Sequence, residues 1–437
     1  MSIRSLDVPV DTAEKGREAY ALIEELYPLC RSVTGNGIRQ TLETLKRTIP
    51  LRMHEVPSGT QVFDWTVPRE WNIRDAYVKN AKGEKVIDFQ RSNLHVLNYS
   101  VPVHRVVQLD ELKAHLFTLP EHQDWIPYRT SYYRENWGFC LRHRDYLALE
   151  DGEYEVFIDS SLEDGSLTYG ELYLRGDEES EVLFSCHACH PSLCNDNLSG
   201  VTLATLLAKQ IHTTARRYSY RFLFIPGTIG AITWLALNEE KTRNIRHGLV
   251  LTGLGDSGPM VYKKSRRGEA DIDRAALHVL KHAGSAHRIV DFEPYGYDER
   301  QYCSPGFDLP VGCLSRTPYG AYPEYHTSAD NLEFIHPESL GESFSRLVDI
   351  VRLLEGNRAY VNTNPKCEPQ LGKRGLYSSI GEKERALLWV LNLSDGGHDL
   401  LSIADRSGLP FASIQEAAFL LMENYLLQPW TGESLQK

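Results

Sequence analysis

The sequence predicts an α/β protein: a core with a mostly parallel sheet flanked by helices, carrying a β-rich inserted domain and ending in a small helical module. Three observations carry this expectation. After Gly176, continuous apolar runs alternate with amphipathic helical patterns, the signature of a sheet covered on both faces. Between about 52 and 165 the pattern changes to short apolar runs separated by Pro, Gly and Asn. Beyond the polar stretch Asn362-Thr363-Asn364-Pro365-Lys366, three short helical patterns lead to a last apolar run, Tyr425-Leu426-Leu427. A chain of 437 residues exceeds one ordinary domain, so two or three are expected.

In chain order, two helical patterns open the protein. Ala19, Leu22, Ile23 and Leu26 share one face, and Ile38, Leu42, Leu45 and Ile49 form a second stripe after the Gly35-Asn36-Gly37 break. Residues 1–51 are read as a helical lead-in to the core. Leu94–Tyr99 and Tyr154–Ile158 typify the strands of the insert, 52–165. The core, 166–360, has strands at 181–186, 219–225, 247–253 and 309–314, and helices at about 198–213, 229–240, 270–284 and 338–355. Residues 370–437 resemble a winged helix-turn-helix, with 411–423 as its candidate reading helix.

Composition excludes several functions. Lys plus Arg number 47 against 59 Asp plus Glu, a net charge of −12, which opposes general nucleic-acid binding. The terminal module holds six Lys or Arg against eight Asp or Glu, and 411–423 has no basic residue, so it is read as a packing or oligomerisation module of a homo-oligomer. The one basic run, Lys263-Lys264-Ser265-Arg266-Arg267, reads as a solvated loop or edge strand. No apolar run approaches a membrane span and no apolar signal core opens the chain, so a cytoplasmic location is expected. Eight sparse cysteines are expected to be free thiols.

The densest chemistry lies in Cys186-His187-Ala188-Cys189-His190-Pro191-Ser192-Leu193-Cys194-Asn195-Asp196-Asn197-Leu198-Ser199-Gly200, directly after an apolar strand. Strand carboxyl ends are where such sheets build their sites. A metal that activates water needs a few protein ligands and an open position. His190 and Asp196, with His326 from Tyr325-His326-Thr327-Ser328-Ala329-Asp330, meet that need. Asp196 has two oxygens and could bridge two ions. His187 and the three thiols are assigned to packing or supporting roles.

These phrases resemble the metal-binding segments of zinc aminopeptidases of the aminopeptidase Y and glutaminyl cyclase superfamily. There a His, an Asp-Asp-Asn-x-Ser-Gly phrase and a late His-Thr-x-x-Asp phrase surround one or two zinc ions. The whole chain is most similar to bacterial proteins described only as having an aminopeptidase-like domain. The resemblance implies a zinc-peptidase-like core and a zinc-dependent hydrolase acting on an amide of a small molecule or short peptide. It assigns His190, Asp196 and His326 as ligands.

The departures matter too. In the family the strand corresponding to Phe222-Leu223-Phe224-Ile225 ends in two glutamates, a base and a ligand; here Pro226-Gly227-Thr228 follows. The missing ligand is assigned to Asp256, and the missing base to Glu324 first, with the Asp298-Glu299 pair as the next carboxylates and Glu299 the one chosen from it. Arg300, Tyr297, Tyr302 and Tyr325 are expected to line the substrate pocket, and Trp137 with Tyr132-Tyr133 to cover it. Loss of both glutamates also leaves room for an amide-forming or aminoacyl-transferring enzyme, or for a degenerate peptidase used in binding or assembly.

Overall fold

The computed structural model describes residues 10–132, 134–376 and 381–432. The chain divides into two compact units. Among the described residues, one comprises 10–270 and 286–345; the other comprises 271–285 and 346–432. No helix among the described residues is long and apolar enough to cross a membrane.

The first unit is built on an eight-stranded sheet. Its strands lie in the order Arg52–Pro57, Ser166–Leu174, Ser219–Ile225, Glu181–His187, Ile245–Leu251, Val311–Ser315, Met260–Lys263 and His287–Val290. The four central strands, from Ser219–Ile225 to Val311–Ser315, are mutually parallel. Their residues are almost all buried, which is why they read as unbroken apolar runs. The helix Gly200–His212 follows the central strand and is buried nearly all round.

Strands 219–225 and 181–187 match their expected positions to within one residue. The expected strand 247–253 lies two residues earlier, at Ile245–Leu251, and the last, expected at 309–314, is Val311–Ser315. The short or antiparallel strands Arg52–Pro57, Ser166–Leu174, Met260–Lys263 and His287–Val290 are additional. The β-rich segment forms an antiparallel sheet in the order Lys85–Asp88, Glu70–Asn80, Glu153–Glu163, Val103–Gln108. Its core residues Trp71, Val78 and Val156 join the same apolar cluster as Leu183, Leu223 and Val250 of the large sheet. The second unit carries the winged helix: helices Glu382–Leu393, Leu400–Ser407 and Phe411–Glu423, with a three-stranded sheet ordered Asp395–Asp399, Ala359–Asn362, Leu427–Pro429.

One polar cluster interrupts the apolar sheet. Arg221 donates from Nε and Nη2 to the two oxygens of Glu181 at 2.7 and 2.9 Å, and from Nη1 to Glu171. Trp234 Nε1 donates to Glu171 at 3.2 Å, and all three charged groups are buried. Each charge is tolerated only because its partners replace water. Arg221→Ala strands two buried carboxylates and is expected to cost about 3–5 kcal/mol, seen as a lower urea midpoint. The combined change Arg221→Met, Glu171→Gln and Glu181→Gln is expected to cost much less; equal losses would show that the charges do not act as one unit.

Candidate metal centre

His187 is the last residue of the central strand and lies in register with Ile225, the last residue of its neighbour. The chain then turns through Cys194–Ser199, where Asp196 and Asn197 leave helical geometry. Each polar residue of this segment has an internal partner. The Asp330 carboxylate accepts the backbone N–H groups of Asn195 at 2.6 Å and Asp196 at 2.9 Å. The Asn195 side chain donates to Asp256 at 2.9 Å and accepts from Gly255 N at 2.9 Å. Asn197 donates to the carbonyls of His187 at 3.2 Å and Leu251 at 2.9 Å, and accepts from Gly200 N at 3.1 Å. Ser199 Oγ donates to Asn195 O and accepts from Leu254 N. Gly200 is required because a Cβ there would lie 2.4 Å from Leu251 O. The Asn-Asp-Asn-x-Ser-Gly phrase is thus a scaffold that presents one side chain, Asp196.

Asp196 is 1% exposed and is shared by three imidazoles. Its Oδ1 lies 2.6 Å from His187 Nε2, and its Oδ2 lies 3.0 Å from His326 Nε2 and 4.0 Å from His190 Nε2. Oδ2 and His326 Nε2 are buried and close, yet neither has a hydrogen-bond partner, so the pair is not aligned as donor and acceptor. Two ligands about 2.0–2.1 Å from one zinc ion stand about 3.3 Å apart at the tetrahedral angle, which is the spacing this pair approaches. His187, His190 and Asp196 also offer ligand atoms within 4.8 Å of one another. The donor set, imidazole nitrogen plus carboxylate oxygen, therefore fits a metal ion such as zinc.

The electrostatics agree. Burial drives the His190 imidazole down to about 3, so it is neutral with a lone pair to give. Burial also disfavours charge on His187 and Asp196, but attraction wins: Asp196 raises His187, and the imidazoles of His190, His187 and His326 together hold Asp196 well below the usual carboxylate range. Buried Arg31 donates to His190 O at 2.8 Å and fixes that loop from below.

The insert covers the site through residues that the sequence did not single out. Pro127 pairs with Thr327 in an antiparallel bridge, Tyr128 N donates to His326 O at 2.7 Å, and Ser328 N donates to Ile126 O at 2.8 Å. This holds His326 at φ +56°. The Tyr128 ring meets His190 and His326 edge-on, with centroids 5.2 and 5.1 Å away. Trp137 instead stacks on His115 at 3.6 Å, and Tyr132 packs near Tyr99; Tyr133 lies outside the described residues.

The other expected site residues scatter. Tyr297 stacks on His187 at 5.5 Å and Tyr325 on His326 at 4.0 Å, so both flank the cluster. Tyr302 is fully buried and bonds Ser185 Oγ at 2.9 Å, inside the core. Arg300 lies over Tyr295 at 5.7 Å. Asp256 is engaged by Asn195, Gly258 N and Thr317 Oγ1, which makes it part of the scaffold. Glu299 is buried against Lys263 Nζ at 2.9 Å. Glu324 is half-buried, and its backbone carbonyl accepts Thr327 Oγ1 at 2.8 Å. Lys264, Arg266 and Arg267 of the basic run pair with Asp291 and Asp308. All eight cysteines are free. Sequence reasoning gives Asp330 no role of its own, whereas it reads His187 as a supporting residue and Asp298, with Glu299, as a replacement carboxylate.

Comparison with known proteins gives two family matches: residues 20–357 match a domain of unknown function, DUF4910, and 358–429 match a winged helix-turn-helix family. A Clostridium acetobutylicum protein, provisionally described as a polysaccharide biosynthesis protein with an aminopeptidase-like domain, is 55% identical over 424 residues, covering 96% of this chain and 98% of its own. A crystal structure of a provisionally assigned peptidase from the same organism superposes with a TM-score of 0.94 at 55% identity, with 96% and 98% of the two chains covered. A zinc aminopeptidase of Bacillus subtilis shares the fold at a TM-score of 0.57 and 11% identity, covering 77% of this chain and 94% of its own.

The Asp330 clamp has a measurable consequence. Asp330→Ala leaves the buried amides of Asn195 and Asp196 without an acceptor, at about 1–3 kcal/mol each. Hydrogen exchange at these two amides is expected to accelerate, with Asp330→Asn intermediate; unchanged exchange in the alanine variant would remove the clamp from the account.

Proposed function

The chain belongs to the DUF4910 family, and from that premise we propose that it is a zinc-dependent hydrolase acting on an amide bond of a small molecule or short peptide. The observation that carries this reading is the buried meeting of Asp196 Oδ2 and His326 Nε2, 3.0 Å apart and without hydrogen-bond partners, beside the neutral His190.

In this reading His190, Asp196 and His326 hold the ion, and His187 orients Asp196 through Oδ1 as an outer partner. Zinc bound there supplies Lewis acidity at the substrate carbonyl and acidifies water. Tyr128 closes one side of the cluster and excludes solvent, which strengthens every electrostatic interaction inside. Tyr297 and Tyr325 wall the substrate's approach. The zinc aminopeptidase fold supports amide chemistry, and the role of the winged helix is to pack or dock rather than to read nucleic acid.

A second reading is favoured by the relative described as a polysaccharide biosynthesis protein. Here an amine, not water, takes the acyl group. Product analysis with aminoacyl amides, with and without amine acceptors, separates the two readings.

Purified protein is expected to carry zinc. His190→Ala and His326→Ala are expected to lose most of it, whereas His187→Ala weakens affinity about 10–100-fold, as loss of an orienting partner does. Zinc content by mass spectrometry that is unchanged in the first two variants would sink the reading, as would amide turnover that persists in the chelated protein.

A further inference from the structure

The strand Ser219–Ile225 ends in Pro226, Gly227 and Thr228 and presents no carboxylate to the cluster. A Cβ built on Gly227 would stand 3.0 Å from His187 Cβ and 3.9 Å from Asp298 Oδ2. The place vacated by a side chain at 227 is therefore bordered by an acid from a different segment. Asp298 is 1% exposed, and neither of its oxygens has a hydrogen-bond partner. A buried carboxylate with both oxygens unanswered is costly, so a fold that keeps one keeps it for something that arrives from outside.

Its neighbours do not consume it. His187 commits Nε2 to Asp196, and its Nδ1 lies 3.4 Å from the Asn197 amide. Glu299, next in sequence, gives Oε1 to Lys263 Nζ at 2.9 Å and keeps Oε2 without a partner. Asp256 is engaged by Asn195 and Thr317, and Asp330 by the amides of Asn195 and Asp196.

We propose that Asp298 is the general base of this site, supplying from the 297–302 segment the carboxylate that the strand end at 226–228 lacks, and reaching the nucleophile through the space beside Gly227. This rests on the hydrolase reading above. As a water oxygen bonds to the amide carbonyl carbon, one water O–H bond breaks and the proton passes to an Asp298 oxygen. As the C–N bond then breaks, that proton passes to the leaving nitrogen. Asp298 returns to the carboxylate, and amide plus water has become acid plus amine.

The test compares zinc-loaded wild type with Asp298→Asn, which keeps shape and loses the base. The expected result is a fall in kcat of about 10²–10⁴-fold, with KM within about threefold and zinc content unchanged. Asp298→Ala is expected to lose similar activity and to regain part of it when formate, a small carboxylate able to enter the gap, is added. Gly227→Val, which fills the same space from another element, is expected to lower kcat while retaining zinc, and it decides the matter should the Asp298 variants not fold. Asp298→Asn with kcat near wild type overturns the proposal. So does loss of zinc in that variant, which would make Asp298 a ligand, or an Asp298→Ala enzyme that formate does not revive. A wild type with no metal-dependent amide turnover removes the hydrolase reading and this one together. Failure of the Asp298 variants in an active wild type removes this one alone.

Discussion

The centre depends on the hold that Asp330 exerts on the turn before the helix Gly200–His212. Its carboxylate takes the amides of Asn195 and Asp196, which fixes the backbone from which the Asp196 side chain reaches His187 and His326. Asp330 and His326 lie four residues apart on one turn. The turn that brings the distant imidazole therefore also brings the clamp that aims its partner. Asn195 and Asn197 extend the hold to Gly255 and to the strand carbonyls of His187 and Leu251, so a shift in any of these is felt at Asp196.

The rest of the unit serves that placement. Four parallel strands deliver His187, Pro226, the 252–256 turn and the 316–330 loop to one edge of the sheet, as parallel strands must. Arg221, Glu171 and Glu181 satisfy one another within the sheet and so stay buried there. The insert adds the cover, and its bridge to residues 326–328 ties that cover to the same turn that carries His326. Hydrophobic continuity between the insert and the large sheet, through Trp71, Val156, Leu183 and Val250, keeps the cover in register with the site.

Much of the core was legible in advance because its signals are local. Buried parallel strands must be continuously apolar, so 181–187 and 219–225 announce themselves. The edge strands Arg52–Pro57 and His287–Val290 do not, since each is stabilised by a neighbour distant in sequence and has half-exposed residues. His190, Asp196 and His326, singled out in the sequence as candidate metal ligands, lie together in the structure. Asp256 looked equally suitable, but its oxygens face Asn195 and Thr317, a fact of packing. Tyr302 looked like a pocket wall and proved to be core, because the helical turn Glu299–Tyr302 points it at Ser185.

The sequence by itself determined the α/β class, the winged helix and the absence of carboxylates directly after Ile225, since apolar periodicity and residue identity need no third dimension. Only the tertiary structure decided that His187 belongs with Asp196, that Tyr128 lies against His190 and His326, and that Asp298 stands beside the Gly227 gap. Those pairings join residues from 9 to nearly 200 positions apart. They exist only because burial leaves each polar group no water to turn to, and so gives its direction a cost.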